Sequence, residues 1–335
     1  MSMNKLNSID DIAKIAGVSK STVSRALNDS PLVEAGTKER IVAIAREHDF
    51  RPSVAARALS LRASKTVAYV IDAYDHECGL ESPFSMELMG GAATGLRELG
   101  YDMLITQANE SRGDWAAEYL GSSRVDGFIL MTYDNKRRHV ERLIELDAPF
   151  AVWGGCDSQP CCSVSGDNEQ GGRLAGEHLV SIGRRRIGFI GDSDDDDEVR
   201  GRRVGFMAAV YPSGSAGTPA LEAFGDFSEG SGYAAMNELV EREPAIDAVF
   251  VVGDMMAIGA MRALADRGIR VPADVAVIGY DNLFISAYTT PTLTTISQHI
   301  ADTGRMIARN LVARIERGIV SSAKIPVELI RRQSA

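Results

Sequence analysis

From Thr66 onward, short apolar runs alternate with amphipathic stretches of helical period, and this alternation limits the fold more than any other feature of the chain. Eight runs read as strands: Val67–Ile71, Asp102–Thr106, Gly127–Met131, Phe150–Trp153, Ile187–Ile190, Ala220–Phe224, Ala248–Val252 and Val275–Ile278. Met86–Leu99, Gln170–Ser181, Asp254–Arg267 and Ile300–Arg317 read as helices between them. Such alternation predicts doubly wound parallel sheets. About 270 residues of it is large for one sheet, so two lobes are expected. Ligands of such sheets sit beyond the strand C-termini, and a cleft between lobes can close about a hinge.

Residues 1–62 differ from the rest. They carry ten Lys and Arg against seven Asp and Glu, whereas the remainder carries 26 against 39, within a net charge of −10. A cationic head on an anionic body suits a module that meets a polyanion at one end; chance fluctuation competes until a motif stands beside the charge. With 45% hydrophobic and 24% charged residues, the 335-residue chain has material for a core. Disordered, collagenous and disulfide-stapled classes are excluded. No apolar run of about 18 residues predicts a membrane span. The start MSMNKLNSID lacks the apolar segment of a signal peptide, so a cytoplasmic protein with no membrane partner is expected. The four cysteines, Cys78, Cys156, Cys161 and Cys162, are then expected to be reduced. They form no CxxC pair, and His48, His76, His139, His178 and His299 are scattered, so no metal or cofactor is expected.

The head carries the motif. Ser8 or Asp10 can cap a helix with Ile12, Ala13, Ile15 and Ala16 as its apolar positions, and Gly17 ends it. Ser19 can cap a second helix, Lys20–Leu27, whose inner face is Val23, Ala26 and Leu27. Thr37 is expected to cap a third, Lys38–His48, with Ile41, Ile44 and Ala45 inside. Helix, tight turn and polar-faced helix make a helix-turn-helix. A plain three-helix bundle is the competing reading, weakened by short donors and cations where a solvated face usually shows Glu/Lys pairs. Lys20, Ser21 and Arg25 are assigned to base reading in the major groove. Ser19, Thr22, Ser24, Asn28 and Thr37 are assigned to phosphates, which position without specifying. Residues 52–63 follow as a linker. Pro52 ends the third helix and Ser53 can cap a short one, but large apolar residues are too few to hold it alone. Ser53, Ala56 and Leu59 are expected at DNA, Leu59 as a wedge from the minor groove; an inert linker is the alternative.

The run DIAKIAGVSKSTVSRALNDSPLVEAGTKERIVAIAREHDFRPSVAARAL resembles the DNA-binding head and hinge of the LacI/GalR family of bacterial transcription regulators: VSxxTVSRxLN, TxxRI and PxxxAxxL stand at the family's spacing. In the body, Ser82-Pro83-Phe84, Val125-Asp126-Gly127, Asp167–Gly172, Arg202–Phe206, Gly225–Phe227, Gly279–Asn282 and Leu293–Ile296 with Gln298 resemble its motifs, so the resemblance spans the chain. It implies a helix-turn-helix head (1–51), a hinge linker (52–63) and a two-lobed, periplasmic-binding-protein-like effector and dimerisation body (64–335). It also implies a homodimer on a palindromic double-stranded operator, a wedging Leu59, and a small sugar or glycoside as effector. Ser53 replaces a common Asn, which weakens one hinge contact.

The implied effector pocket is Phe84, Trp153, Arg202, Phe227, Asp281 and Gln298. Aromatic faces stack on a sugar ring while Arg and Asp bind hydroxyls. Core packing competes for Phe84 and Phe227; Arg200 and Arg203 compete with Arg202. Val152–Gly155 and Gly253-Asp254 lack polar residues that well-known members carry there, so the effector is expected to differ from theirs, with Trp153 stacking in compensation. Gly230-Ser231-Gly232-Tyr233-Ala234-Ala235 superficially resembles a dinucleotide fingerprint but lacks its strand and acid. Asp194–Asp197 reads as a solvated loop tip, with a cation site as the alternative. The expected function is a repressor of carbohydrate-utilisation genes and not an enzyme, since no nucleophile–base set stands out. The alternatives are a cytoplasmic sugar-binding protein or a regulator answering a non-sugar metabolite such as a nucleobase. With no leucine heptad after Pro326–Ile330, a dimer is expected over a tetramer.

Overall fold

The computed structural model describes residues 8–50, 63–72, 82–108, 113–131, 137–155, 161–192, 197–211 and 221–335. Ser53, Ala56, Leu59, His76, Cys78, Cys156 and Asp194 lie outside these ranges. The chain divides into two units, Met1–Ser64 and Lys65–Ala335.

The first unit is three helices: α1 (Ile9–Ala16), α2 (Lys20–Leu27) and α3 (Ala35–Glu47). Ser8, not Asp10, caps α1, its hydroxyl accepting from the Asp11 amide, and Gly17 closes it at φ +65°. Ser19 caps α2 by accepting from the Thr22 amide. Thr37 does not cap α3. The Glu34 carbonyl already accepts from the Lys38 amide at 2.9 Å, so the helix opens at Ala35 and Thr37 stands inside its first turn. Ile12, Val23 and Ile41 are fully buried, with Ala13, Ala16, Ala26 and Ala45 around them; Leu27 and Ile44 are only partly buried. Each buried Ile or Val contributes about 1.5–3 kcal/mol, so this core is small.

The second unit is two six-stranded sheets. The first contains β1 (Thr66–Asp72), β2 (Asp102–Ala108), β3 (Gly127–Met131), β4 (Phe150–Trp153), β5 (Cys162–Gly166) and β11 (Ala323–Ile325), ordered β11-β5-β4-β3-β1-β2. The second contains β6 (Ile187–Asp192), β7 (Glu222–Gly225), β8 (Ala248–Val251), β9 (Ala276–Asp281), β10 (Thr294–Ser297) and β12 (Glu328–Ile330), ordered β12-β10-β9-β8-β6-β7. All neighbours pair in parallel except β12 with β10. Three crossings join the sheets, after β5, after β10 and after β11.

Helices flank both sheets. The first carries α4 (Pro83–Glu98), α5 (Trp115–Gly121), α6 (Arg137–Glu145) and α11 (Ile300–Arg317); the second carries α7 (Asn168–Ser181), α8 (Asp197–Val210), α9 (Glu229–Arg242) and α10 (Asp254–Asp266). Three helix pairs cross at glycines on both partners. A Cβ on Gly91 would strike the Ala301 backbone and one on Gly304 the Leu88 carbonyl; Gly172 and Gly205 do the same for α7 and α8, and Gly232 and Gly259 for α9 and α10. The absent side chains let the backbones approach. This explains Gly232 of the supposed dinucleotide fingerprint: it is a crossing point against Met256, inside α9.

The expected reduced state fails at Cys161, which is disulfide-bonded. Cys162 is free and buried. Among the described residues no helix is long and apolar enough to cross a membrane.

Candidate functional site

On the head, the outward face of α2 stands as its residue pattern implies. Ser19, Lys20, Ser21 and Arg25 are exposed; Thr22, Ser24, Asn28 and Thr37 are half-buried. The Ser19 hydroxyl lies 2.8 Å from those of Ser21 and Thr22, so three small donors cluster at one helix N-terminus. Lys20 Nζ pairs with Asp10 at 2.6 Å, both side chains exposed. Such a pair contributes at most about 1 kcal/mol and can be exchanged for a phosphate. No hydrogen bond or ion pair to the Arg25 guanidinium is present among the described residues. Lys38 holds the Asp29 carboxyl below its ordinary range through a 2.6 Å bond.

In the body, the strand ends of the two sheets face a cleft lined by Ser82, Phe84 and Trp153 from the first sheet's side and by Glu198, Arg202, Phe227, Met255 and Asp281 from the second's. It encloses about 580 Å3 of space free of atoms, open solvent included. Five of the six expected pocket residues meet here. Trp153 ends β4, and Phe84 opens α4 beside it with ring centroids 5.3 Å apart. Phe227 follows β7 at φ +63° and packs beside Gly253, where a Cβ would come within 3.1 Å of its ring. A Cβ at Gly253 would therefore press on that aromatic wall, which would have to give by a few tenths of an ångström.

Arg202, rather than Arg200 or Arg203, belongs to the cleft. It is 4% exposed, whereas Arg200 pairs with Asp197 and Arg203 with Glu222 at the surface. Its Nε donates to Asn168 Oδ1 at 2.8 Å, one terminal nitrogen donates to the Val252 carbonyl at 2.6 Å, and the other lies 3.7 Å from Glu198. The guanidinium stacks 3.9 Å from the Tyr280 ring centroid.

Asp281 ends β9 in a left-handed conformation, φ +111°. Burial pushes its carboxyl up to about 7, against the pull of the Arg202 guanidinium and the Gln298 amide. Gln298 does not line the cleft. It is fully buried behind Asp281 and donates Nε2 to Asp281 Oδ1 at 2.7 Å. Its Oε1 has no hydrogen-bond partner among the described residues and lies 2.5 Å from where a Cβ on Gly166 would stand.

Asp254 plays an internal part. It is fully buried, accepts from Thr295 Oγ1 at 2.6 Å and the Leu283 amide at 2.7 Å, and burial raises its carboxyl well above the ordinary range. Sequence reasoning missed Asn168, Glu198, Met255 and Ser82. For Glu198 the signal was present: it precedes Arg202 by four residues on one helix face. Ser82 and Asn168 stood within the motifs Ser82-Pro83-Phe84 and Asp167–Gly172, but nothing in the sequence joined Asn168 to Arg202, which comes from another helix.

Residues 8–53 match the family model for bacterial regulatory proteins, lacI family, and residues 177–335 match that for a periplasmic binding protein-like domain. The chain is 34% identical over 319 residues to the HTH-type transcriptional regulator CelR of Thermobifida fusca, covering 94% of each chain. A solved transcriptional regulator CelR–cellobiose complex matches with a TM-score of 0.73 at 31% identity, over 98% of this chain and 100% of that one. A lac repressor dimer bound to operator and the anti-inducer ONPF matches with a TM-score of 0.83 at 26% identity, over 98% and 99%.

Proposed function

Because the chain belongs to the LacI family of bacterial regulatory proteins, we propose that it is a cytoplasmic, sugar-gated repressor of carbohydrate-utilisation genes, working as a homodimer on a palindromic operator and performing no catalysis. In this reading Lys20, Ser21 and Arg25 read bases, while Ser19, Thr22, Ser24, Asn28 and Thr37 grip phosphates. Ser53, Ala56 and Leu59 add contacts from the linker. A neutral sugar or glycoside binds among Phe84, Trp153, Arg202, Phe227 and Asp281.

The observation that carries the reading is the cleft itself: residues far apart in sequence converge as aromatic walls around the Arg202 guanidinium and the Asp281 and Glu198 carboxyl groups. Aromatic faces cover the apolar side of a ring, and Asp281 accepts hydroxyl bonds. The cellobiose complex of the similar CelR protein supports a saccharide. The charge balance supports a neutral one. Arg202 is engaged by Asn168, Val252 and Glu198, and Asp281 and Glu198 face the same space, so among the described residues a phosphorylated sugar would meet carboxylates without a spare cation.

A thermal-shift screen of mono- and disaccharides, phosphosugars and nucleobases tests this, beside gel shifts on fragments of the source genome. A neutral saccharide is expected to raise the unfolding midpoint and to change the mobility of a protein–DNA complex. A response to nucleobases alone would overturn the sugar assignment.

A further inference from the structure

Lys65 is the first residue of the body unit, two residues past the end of the linker in the chain. Its backbone sits at φ +52°, a left-handed conformation that is sterically unfavourable for any residue with a Cβ. Five contacts hold it there. Its N–H donates to Asp126 Oδ2 at 2.8 Å, and its carbonyl accepts from the Asp102 amide at 2.8 Å. Its Nζ donates to Glu316 Oε1 at 2.7 Å and to the Tyr101 hydroxyl at 3.2 Å, and lies 4.3 Å from the Tyr101 ring centroid. These partners come from the start of β2 and the residue before it, the turn before β3 and the last turn of α11. A non-glycine residue held in this conformation by three separate segments is a feature the fold over-determines. Glycine would satisfy the same backbone without steric cost, so the backbone alone does not explain a lysine.

The position of the clamp suggests what the side chain does. Helix α11 begins at Ile300, two residues after Gln298, which touches the cleft carboxylate Asp281. At 1.5 Å per residue its 18 residues reach about 27 Å, and its last turn presents Glu316 to Lys65. Glycine crossings at Gly91 and Gly304 seat α11 tightly on α4. One rigid element therefore starts at the inter-sheet crossing beside the cleft and ends at the first residue of the body.

We propose that Lys65, clamped by Glu316 and Tyr101, is a positioning residue at the start of the body, and that specific operator affinity depends on it. This rests on the operator-reading function proposed above.

The test uses the full chain and a duplex that the wild type selects from fragments of its source genome. Affinity for that duplex and for a shuffled one of equal length is read by fluorescence anisotropy at one salt concentration. Glu316→Gln and Lys65→Met are expected to weaken binding to the selected duplex by about five- to tenfold, the low end of coupling between linked sites. Binding to the shuffled duplex should not change, and the unfolding midpoint should hardly move, since the pair is exposed. Lys65→Arg should retain specific binding. Lys65→Gly is the decisive variant: it relieves the backbone yet should lose specific affinity as Lys65→Met does. If Lys65→Gly binds the selected duplex as tightly as wild type, the clamp is only structural and the inference is wrong. If the wild type selects no duplex at all, the operator-reading function fails, and this inference with it.

Discussion

The head and the body hold their polar groups in opposite ways. On α2 the donors stand at the surface: Arg25 is exposed, Lys20 is lightly engaged, and only a small core lies beneath. In the cleft Arg202 and Asp281 are buried and already bonded, Arg202 to Asn168 and Val252 and Asp281 to Gln298, and in the interior Asp254 is bonded to Thr295. The difference matches the ligands proposed. A duplex brings its own charges and water, and exposed cations meet it by releasing counterions. A small neutral molecule offers few contacts, so the site must be preorganised to gain affinity. Substitutions on the head should therefore change binding and little else, whereas substitutions in the cleft should change binding, stability and pH dependence together.

Asp281→Ala should have the largest effect, abolishing the effector's influence on operator binding while leaving the gel shift intact; a normal effector response would remove Asp281 from the pocket. The conservative Asp281→Asn tests the electrostatics. In the folded chain this carboxyl keeps its proton up to about 7, against an ordinary value of 3.8. Its contribution to stability is therefore fully present below 3.8 and is lost as pH rises through about 7. Asp254, also raised, adds a slope of the same sign. Denaturant unfolding from pH 4 to 8 should show stability falling with pH, and falling less in Asp281→Asn. Sugar affinity should move the other way, rising through pH 7 as the carboxylate becomes the better hydroxyl acceptor.

Arg202→Met comes next. It leaves the Val252 carbonyl, Asn168 and Glu198 without their cation, at a cost of about 3–5 kcal/mol by denaturant unfolding. A loss within experimental error would mean that the buried guanidinium is dispensable. On the head, Arg25→Ala should cost about 1–3 kcal/mol on the operator with unchanged sugar binding; an equal loss on random duplex would reduce it to a phosphate contact. The smallest effect is expected for Lys20→Ala on folding, at most about 1 kcal/mol, because its pair with Asp10 is exposed.

The same contrast explains what was legible in the sequence. The head's helices follow from local signals, Ser8, Gly17 and Ser19 acting where their chemistry demands. Thr37 misled because the carbonyl of Glu34, which carries no cap side chain, opens α3 first. In the body, strands buried on both faces, such as Gly127–Met131 and Phe150–Trp153, stood out as apolar runs. Cys162–Gly166, Thr294–Ser297 and Ala323–Ile325 did not, being short and interrupted by Ser, Thr or Lys near the crossings between sheets. The cleft was visible only through motifs: no periodicity places Trp153 beside Phe84, or Asn168 under Arg202, because sheet order brings them together. The glycine crossings were partly legible as small residues at helical spacing, but their partners were not.

The central claim is that one chain reads a duplex with α2 and answers a small neutral molecule in the cleft. Anisotropy titration of the full chain onto its selected duplex, with and without saturating cellobiose or another saccharide that passes the thermal screen, tests it most directly. Tight, sequence-dependent binding whose affinity changes at least tenfold with the sugar is the predicted result. Indifference to every duplex at low salt, or sequence-specific binding that no small molecule alters, would contradict it.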